Sequence, residues 1–445
     1  MSISNLLHSS ILAALVTITA GAQGAYAGLA SGPMLGPVSM REANVWLQTE
    51  GPSDVRIVYT EADGNSETIE TPLVKTSYEN RFCVTIPLSE VEPGKTYNYH
   101  VVVDGQTEDS TNQLTTPAFY HGKTPPPDIR FAVIGANYNN QEGFEPPYQT
   151  LGSGYEIFDT ILENKPQLNL WLGGTAQLRV SDWESASGYL KRFAYARSRP
   201  EMAKLLANCP NYAIWGSADY GPSGAGALYS KRIIAEKSFR TFWPQPGSIE
   251  DLGLATRFSL ADADFFVLDV QSHRLDRPVA SKLPEILGEA QIEWLRRELM
   301  NSQATFKFVV AGAPILNPAS NPKNLSYAER EQKQMLQTLR DERISGLFFL
   351  SGGKSYGELT RLVHANSYNL YDLTVGPVTA KPLDSADELN FFRMPGTSSF
   401  QRHFALIDIT GPEENRELTI RVINAEGTEL WKQTLKASQL IAGGK

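Results

Sequence analysis

Tyr212-Ala213-Ile214-Trp215-Gly216-Ser217-Ala218-Asp219-Tyr220-Gly221-Pro222 is the stretch that decides the fold. Tyr212 to Trp215 is a short apolar run of the kind that forms a strand covered on both faces. Gly216 to Asp219 then reads as a tight polar loop. In open parallel sheets, ligands bind in the crevice outside the carboxyl ends of the strands. The loop therefore falls where chemistry belongs, yet it carries almost no reactive groups.

Similar apolar runs recur on both sides, at Arg130–Gly135, Leu168–Gly173, Asp264–Val270, Phe306–Gly312 and Gly346–Ser351. Helical periodicity lies between them. Tyr155, Phe158, Ile161 and Leu162 share one face, as do Ile292, Leu295 and Leu299. Ser181-x-x-Glu184 and Ser326-x-x-Glu329 match the capping box and predict helix starts. Strands alternating with helices predict a layered α/β domain. It closes with strands at Phe404–Thr410, Leu418–Asn424 and Glu429–Leu435, and 438–445 reads as a frayed tail.

Upstream the pattern differs. Ala43–Gln48, Asp54–Thr60, Arg81–Pro87 and Thr96–Val103 are short runs parted by turn signals such as Asp63-Gly64-Asn65 and Glu92-Pro93-Gly94. This spacing predicts an all-β sandwich of immunoglobulin or fibronectin type over 28–121. Residues 122–128, with Pro125, Pro126 and Pro127, read as a stiff polyproline II linker. The α/β domain is expected over 129–437.

The first 27 residues read as an export signal. Leu6 to Thr19 is mostly apolar and uncharged, and Ala25-Tyr26-Ala27 is a small-x-small cleavage site. A periplasmic or extracellular protein is expected. No later stretch is long and apolar enough to span a bilayer. At 445 residues the chain exceeds one compact core. A formal net charge of −9 argues against nucleic-acid binding. The two cysteines, Cys83 and Cys209, fall in different predicted domains and read as buried thiols rather than a bridge.

Several stretches carry a family resemblance: Asp182-Trp183-Glu184, Tyr195-Ala196-Arg197, Tyr212 to Trp215, Asp219 to Pro222, Asp264 to Asp269, Leu287 to Gln291 and Tyr371 to Thr374. Together they resemble the alkaline phosphatase D-like metallophosphatases of the calcineurin-like phosphoesterase superfamily, over most of 128–410. The resemblance implies a four-layer α/β/β/α domain behind a sandwich. It also implies two metal ions that activate a water and clamp a phosphate ester, held by carboxylate and imidazole ligands at the strand ends.

Those ligands are missing. Gly174 stands where the first box has Asp, and Gln177 where many members have Tyr. Gly216, Ser217 and Ala218 replace two Asp and a His. Gly353, Lys354 and Ser355 replace an Asp, an Arg and a His. Asn137 replaces a Cys, and Val270 and Gln271 stand where many members have Asp and Arg. Every box keeps its frame and loses its donors. No metal cofactor is therefore expected.

Lys354 retains a charge, without arginine's bidentate fork. With Ser355, Asn137, His273 and the N–H groups of Gly352 and Gly353, it is the candidate cradle for a small anion or phosphate ester. Asp219 reads as ordering its own loop, and Glu358 as a structural hydrogen-bonding group. The leading expectation is an exported, metal-free pseudoenzyme that binds or scaffolds. The alternatives are an active phosphoesterase with an atypical site and a structural or adhesive surface protein.

Overall fold

The computed structural model describes residues 28–443 apart from 147, 248, 276–282 and 364–366. The expected export signal and His364 lie outside the described residues.

The first unit is built from β1 (Leu29–Val38), β2 (Ala43–Thr49), β3 (Asp54–Glu61), β4 (Ile69–Glu70), β5 (Val74–Lys75), β6 (Cys83–Leu88), β7 (Thr96–Val103), β8 (Gln106–Thr107) and β9 (Asn112–Thr115). β1, β2 and β6 form one sheet, and β3 and β7 lie at the centre of the other. Period-two alternation turns Val55, Ile57 and Tyr59 of β3 and Tyr97, Tyr99 and Val101 of β7 inward. There they meet Leu35, Val45, Leu47 and Ile86. This is the expected sandwich. β1 escaped the sequence reading because Gly32, Pro33, Gly36 and Pro37 interrupt it. Such residues are tolerated on an edge strand, which β1 is.

The second unit follows with β10 (Ile129–Ile134), β11 (Asn169–Leu172), β12 (Asn211–Ile214), β13 (Thr256–Leu260), β14 (Ala263–Leu268), β15 (Phe306–Ala311), β16 (Leu347–Ser351), β17 (Glu358–Leu362), β18 (Leu370–Thr374), β19 (His403–Thr410), β20 (Glu417–Asn424) and β21 (Glu429–Lys436). They make two six-stranded sheets, ordered β12-β11-β10-β19-β20-β21 and β13-β14-β15-β16-β18-β17. β10, β11 and β12 are parallel, as are β14, β15, β16 and β18.

Alternation along the strands explains the layering. Phe265 and Phe308 face the first sheet, their rings 5.1 and 5.3 Å from that of Phe131. Phe266, Val309 and Phe349 face the opposite way and pack with Leu295 and Met335 of the helices Glu289–Asn301 and Glu329–Asp341. The helices Ala186–Ala196, Pro200–Asn208 and Arg232–Phe242 cover the first sheet. The architecture is the four-layer α/β/β/α arrangement.

Local expectations fail where a nearer or tertiary partner wins. Ser185, not Ser181, caps the helix from Ala186, accepting the Gly188 N–H at 3.1 Å. The Ser326 hydroxyl donates to the Ala319 carbonyl instead of capping the helix that starts at Glu329. Within the expected tight polar loop, Ser217 to Tyr220 forms one helical turn. The tail is not frayed throughout: Leu440 is buried and its carbonyl accepts the Gly346 N–H at 2.8 Å. Nor is the proline linker a free spacer. Arg416 donates to the Pro127 carbonyl at 2.9 Å and pairs with Asp128 at 3.0 Å.

The two units share one core, in which Met34, Trp46 and Cys83 pack among the side chains of the second unit. Asn211 Nδ2 donates to the Leu35 carbonyl at 3.0 Å, and Tyr212 Oη bonds both the N–H and the carbonyl of Val38 at 3.2 Å. β12, an edge strand, is thereby covered by β1. Cys83 and Cys209 are free and buried, and burial pushes both thiols up, Cys83 to about 12.

Candidate functional site

The loops that follow β10, β11, β12, β15, β16 and β18 converge at the carboxyl ends of the strands. They meet there backbone to backbone. A Cβ on Gly312 would lie 2.2 Å from the Trp215 carbonyl oxygen, and one on Gly352 2.1 Å from that of Leu172. A Cβ on Gly135 would lie 1.9 Å from the Gly376 oxygen. The crevice floor is closed by main chain, and only glycine permits that approach.

Three buried aspartates hold these loops. Asp219 accepts from the N–H groups of Gly174 at 2.7 Å, Ala176 at 2.8 Å and Gly216 at 3.1 Å, and from the Thr175 hydroxyl at 3.2 Å. Asp269 accepts from Trp215 Nε1 at 2.8 Å, from the N–H of Leu254 at 2.9 Å, and from Gln271 and Ser272. Asp372 accepts from the N–H groups of Ile315 and Leu316 at 2.7 and 2.8 Å and from the Ser351 hydroxyl. All three are fully buried. Carboxylates remain at the strand ends, but they face inward and order backbone donors. Asp219 thus stitches the β11 loop as well as its own.

The expected anion cradle is not assembled. Lys354 is buried, with Nζ 2.7 Å from Glu388 Oε1 in an ion pair, so its charge is already answered. Asn137 accepts from the Thr379 hydroxyl at 2.7 Å and its amide faces the carbonyls of Thr175 and Ala196. His273 lies against Gly288, at the head of the helix from Glu289. Ser355 and Ser217 are exposed. Gln177 folds back to the Gly174 carbonyl.

Lys354 and Glu388 belong to a wider network that the sequence did not reveal. Asn317 Nδ2 donates to Glu388 at 2.8 Å and to Glu358 at 2.9 Å. Asn324 and Asn321 also donate to Glu388, and Asn390 to Glu358. Arg393 pairs with Glu358. Burial raises the Glu388 carboxyl, but Lys354 and the asparagine amides outweigh it and hold it below the usual range. The expected structural role of Glu358 is what this network gives it. Signals for it were absent because its members are scattered over three loops and the start of β17.

His403 lies under the same loops. Its Nε2 accepts the Gly376 N–H at 3.0 Å, and Nδ1 lies 2.8 Å from the Gln401 carbonyl, which makes Nδ1 the protonated nitrogen. Burial lowers it from 6.5 to about 4. A neutral buried histidine contributes stability above pH 6.5 that is lost as pH falls through about 4. Asp372, lifted to about 6 by burial, works the opposite way over an overlapping range. The contribution of His403 is therefore read as a difference: chemical denaturation of the parent and of His403→Asn across this range should show the parent losing on the order of 3 kcal/mol more. Parallel pH profiles for the two proteins would contradict it.

Metal ligands do not fit this site. At Gly174 and Gly353 the backbone has φ of +67° and +79°, a region that side chains rarely adopt. A Cβ on Gly174 would meet Ala136 Cβ at 2.9 Å, and one on Gly353 the Gly312 oxygen at 2.7 Å. Among the described residues, no group of three or more His, Cys, Asp and Glu stands close enough to hold a metal ion.

Residues 155–406 match the PhoD-like phosphatase family. The chain belongs to the PhoD-like phosphatase family. The solved structure of PhoD superposes on this PhoD-like chain with a TM-score of 0.72 at 14% identity, covering 92% of this chain and 90% of that one. A purple acid phosphatase, PPD1 from yellow lupin (Lupinus luteus) seeds, gives 0.68 at 12% identity, covering 92% and 74%. At such identities the likeness concerns the fold. Residues 26–120 match a domain family of unknown function, DUF7800. No curated protein matches the chain.

Proposed function

We propose that this PhoD-like chain is an exported, metal-free pseudoenzyme, retained for binding or scaffolding rather than for hydrolysis. One observation carries the reading: the positions where the family places its ligands carry no carboxylate or imidazole, on loops that pack main chain to main chain at the crevice floor. Loss of a donor alone could be compensated by a nearby side chain. At Gly312, Gly352 and Gly353 a side chain would clash with the Trp215, Leu172 and Gly312 carbonyls, so none of these three positions can supply it. The remaining carboxylates are saturated with N–H donors, which competes with metal binding.

The test is elemental analysis of the gently purified protein together with turnover of nitrophenyl phosphate mono- and diesters, with and without added Zn2+, Mn2+, Fe3+ and Ca2+. The expected result is no stoichiometric metal and no metal-dependent turnover. About two metal ions per chain, with turnover that rises on metal addition, would establish an active phosphoesterase instead.

A further inference from the structure

Between the sandwich and the α/β unit lies a recess of about 480 Å³. Val38 and Leu114 line it from the sandwich, and Ile129, Leu168, Pro210 and Tyr212 from the α/β unit. Ile129 opens β10, while Leu168 and Pro210 stand directly before β11 and β12. The recess therefore sits at the amino ends of these parallel strands, and the crevice at their carboxyl ends. Its walls are fixed to one another. Tyr212 Oη bonds the Val38 backbone, and Tyr99 Oη of the sandwich donates to the Ala207 carbonyl at 3.2 Å. Small-molecule sites favour pre-formed recesses at domain junctions, and this volume falls within their range.

The lining selects the class of ligand. No Asp, Glu, Lys, Arg or His lines the recess. The charges next to its residues in sequence are engaged elsewhere: Asp128 and Asp262 pair with Arg416, Lys95 with Glu61 and Arg130 with Asp408. Lys165, beside Pro166, is exposed and outside the lining. An ionic ligand would lose its water here and find no countercharge, which is costly. The deep wall is apolar, whereas exposed amides stand at the rim. Gln167 Oε1 accepts the Arg130 N–H, Asn208 Nδ2 donates to the Lys204 carbonyl, and Gln113 Nε2 donates to Asn98. The other end of each amide has no hydrogen bond among the described residues, which leaves one donor group and two acceptors for a ligand. From this we infer that the recess binds an uncharged small molecule with an apolar body and hydrogen-bonding groups at its outer end. The site goes beyond the reading of the crevice and does not depend on whether the chain hydrolyses phosphate esters.

The experiment is fluorescence titration of the full protein with N-phenyl-1-naphthylamine, a neutral apolar dye. A parallel titration uses 8-anilino-1-naphthalenesulfonate, which has the same rings and a negative charge. A single saturable class of neutral-dye sites is expected, with a dissociation constant of about 100 μM or tighter. The sulfonate should bind at least about tenfold more weakly, the penalty of burying an unpaired charge. Ala118 and Thr115 line the recess and are exposed, so a large side chain at either blocks it without disturbing the core. Ala118→Trp and Thr115→Trp should each weaken the neutral dye about tenfold or more and remove the rise in melting temperature that it gives the parent. Melting curves of the variants without dye check that they fold. Leu389 and Phe391, 73% and 82% exposed, offer the dye a rival apolar surface. Phe391→Asp should therefore bind it as the parent does. Equal affinity in the parent and both tryptophan variants overturns the inference. So does loss of binding in Phe391→Asp, sulfonate binding as tight as that of the neutral dye, or no saturable binding.

Discussion

Lys354→Met is expected to destabilise the protein by about 3–5 kcal/mol, the cost of removing one partner from a buried ion pair. Lys354 and Glu388 are almost wholly buried as side chains. Without the ammonium, Glu388 keeps its amide donors from Asn317, Asn321 and Asn324 but loses the countercharge that Lys354 supplies. The pH dependence follows from sign. A carboxyl held below its ordinary range contributes stability that is present above the unfolded value and lost as pH falls through the folded one. The deficit of Lys354→Met should therefore shrink in acid. Lys354→Met/Glu388→Gln should recover much of the loss, because it removes the stranded charge. Urea unfolding of parent, single and double variants measures this. A single variant as stable as the parent, or phosphate binding by the parent that depends on Lys354, would show that the lysine is not committed to Glu388.

Trp46→Ala is expected to cost about 3–5 kcal/mol as well, the range for deleting a buried aromatic side chain. Trp46 comes from the sandwich but sits in the core of the second unit. Its Nε1 donates to the Thr241 carbonyl at 2.7 Å, and its ring lies 5.6 Å from that of Phe242. The Arg197 guanidinium stacks 4.6 Å from the Trp46 ring and 4.2 Å from that of Trp243. Arg197 is buried, has no carboxylate partner among the described residues, and is pushed down to about 9 by burial. Removing the indole takes away one of the aromatic rings, with Phe242 and Trp243, against which this cation packs. Calorimetry of the parent should show the sandwich and the α/β unit melting together, and Trp46→Ala should lower that shared transition. A variant that melts in two steps with the α/β step unmoved would mean that the sandwich is a separable module.

Much of the architecture was legible in the residues. Apolar runs such as Phe306–Ala311, short and rich in β-branched and aromatic residues, read as strands covered on both sides, and the alternation in β3 and β7 marks half-buried antiparallel strands. The proposed loss of metal ligands rests on the sequence as well, through the residue types that stand at Gly174, Gly216, Ser217, Ala218, Gly353 and Ser355. What the residue types did not disclose is direction. Lys354 has the same charge whether it faces an anion in a crevice or a buried Glu388. Asp219 has the same carboxylate whether it binds a metal or four loop donors.

By itself, the sequence determined the alternation of strands and helices and the sandwich before it, because these follow from local periodicity and turn chemistry. Only the tertiary structure decided that the crevice is sealed, that the anion cradle is dismantled and that Leu389 and Phe391 face outward. Each of those depends on which loop lies within about 3 Å of another, and the loops concerned are far apart along the chain: Leu172 against Gly352, Trp215 against Gly312, Lys354 against Glu388. Contacts of that separation are set by how the two sheets stack, which no local stretch of residues encodes.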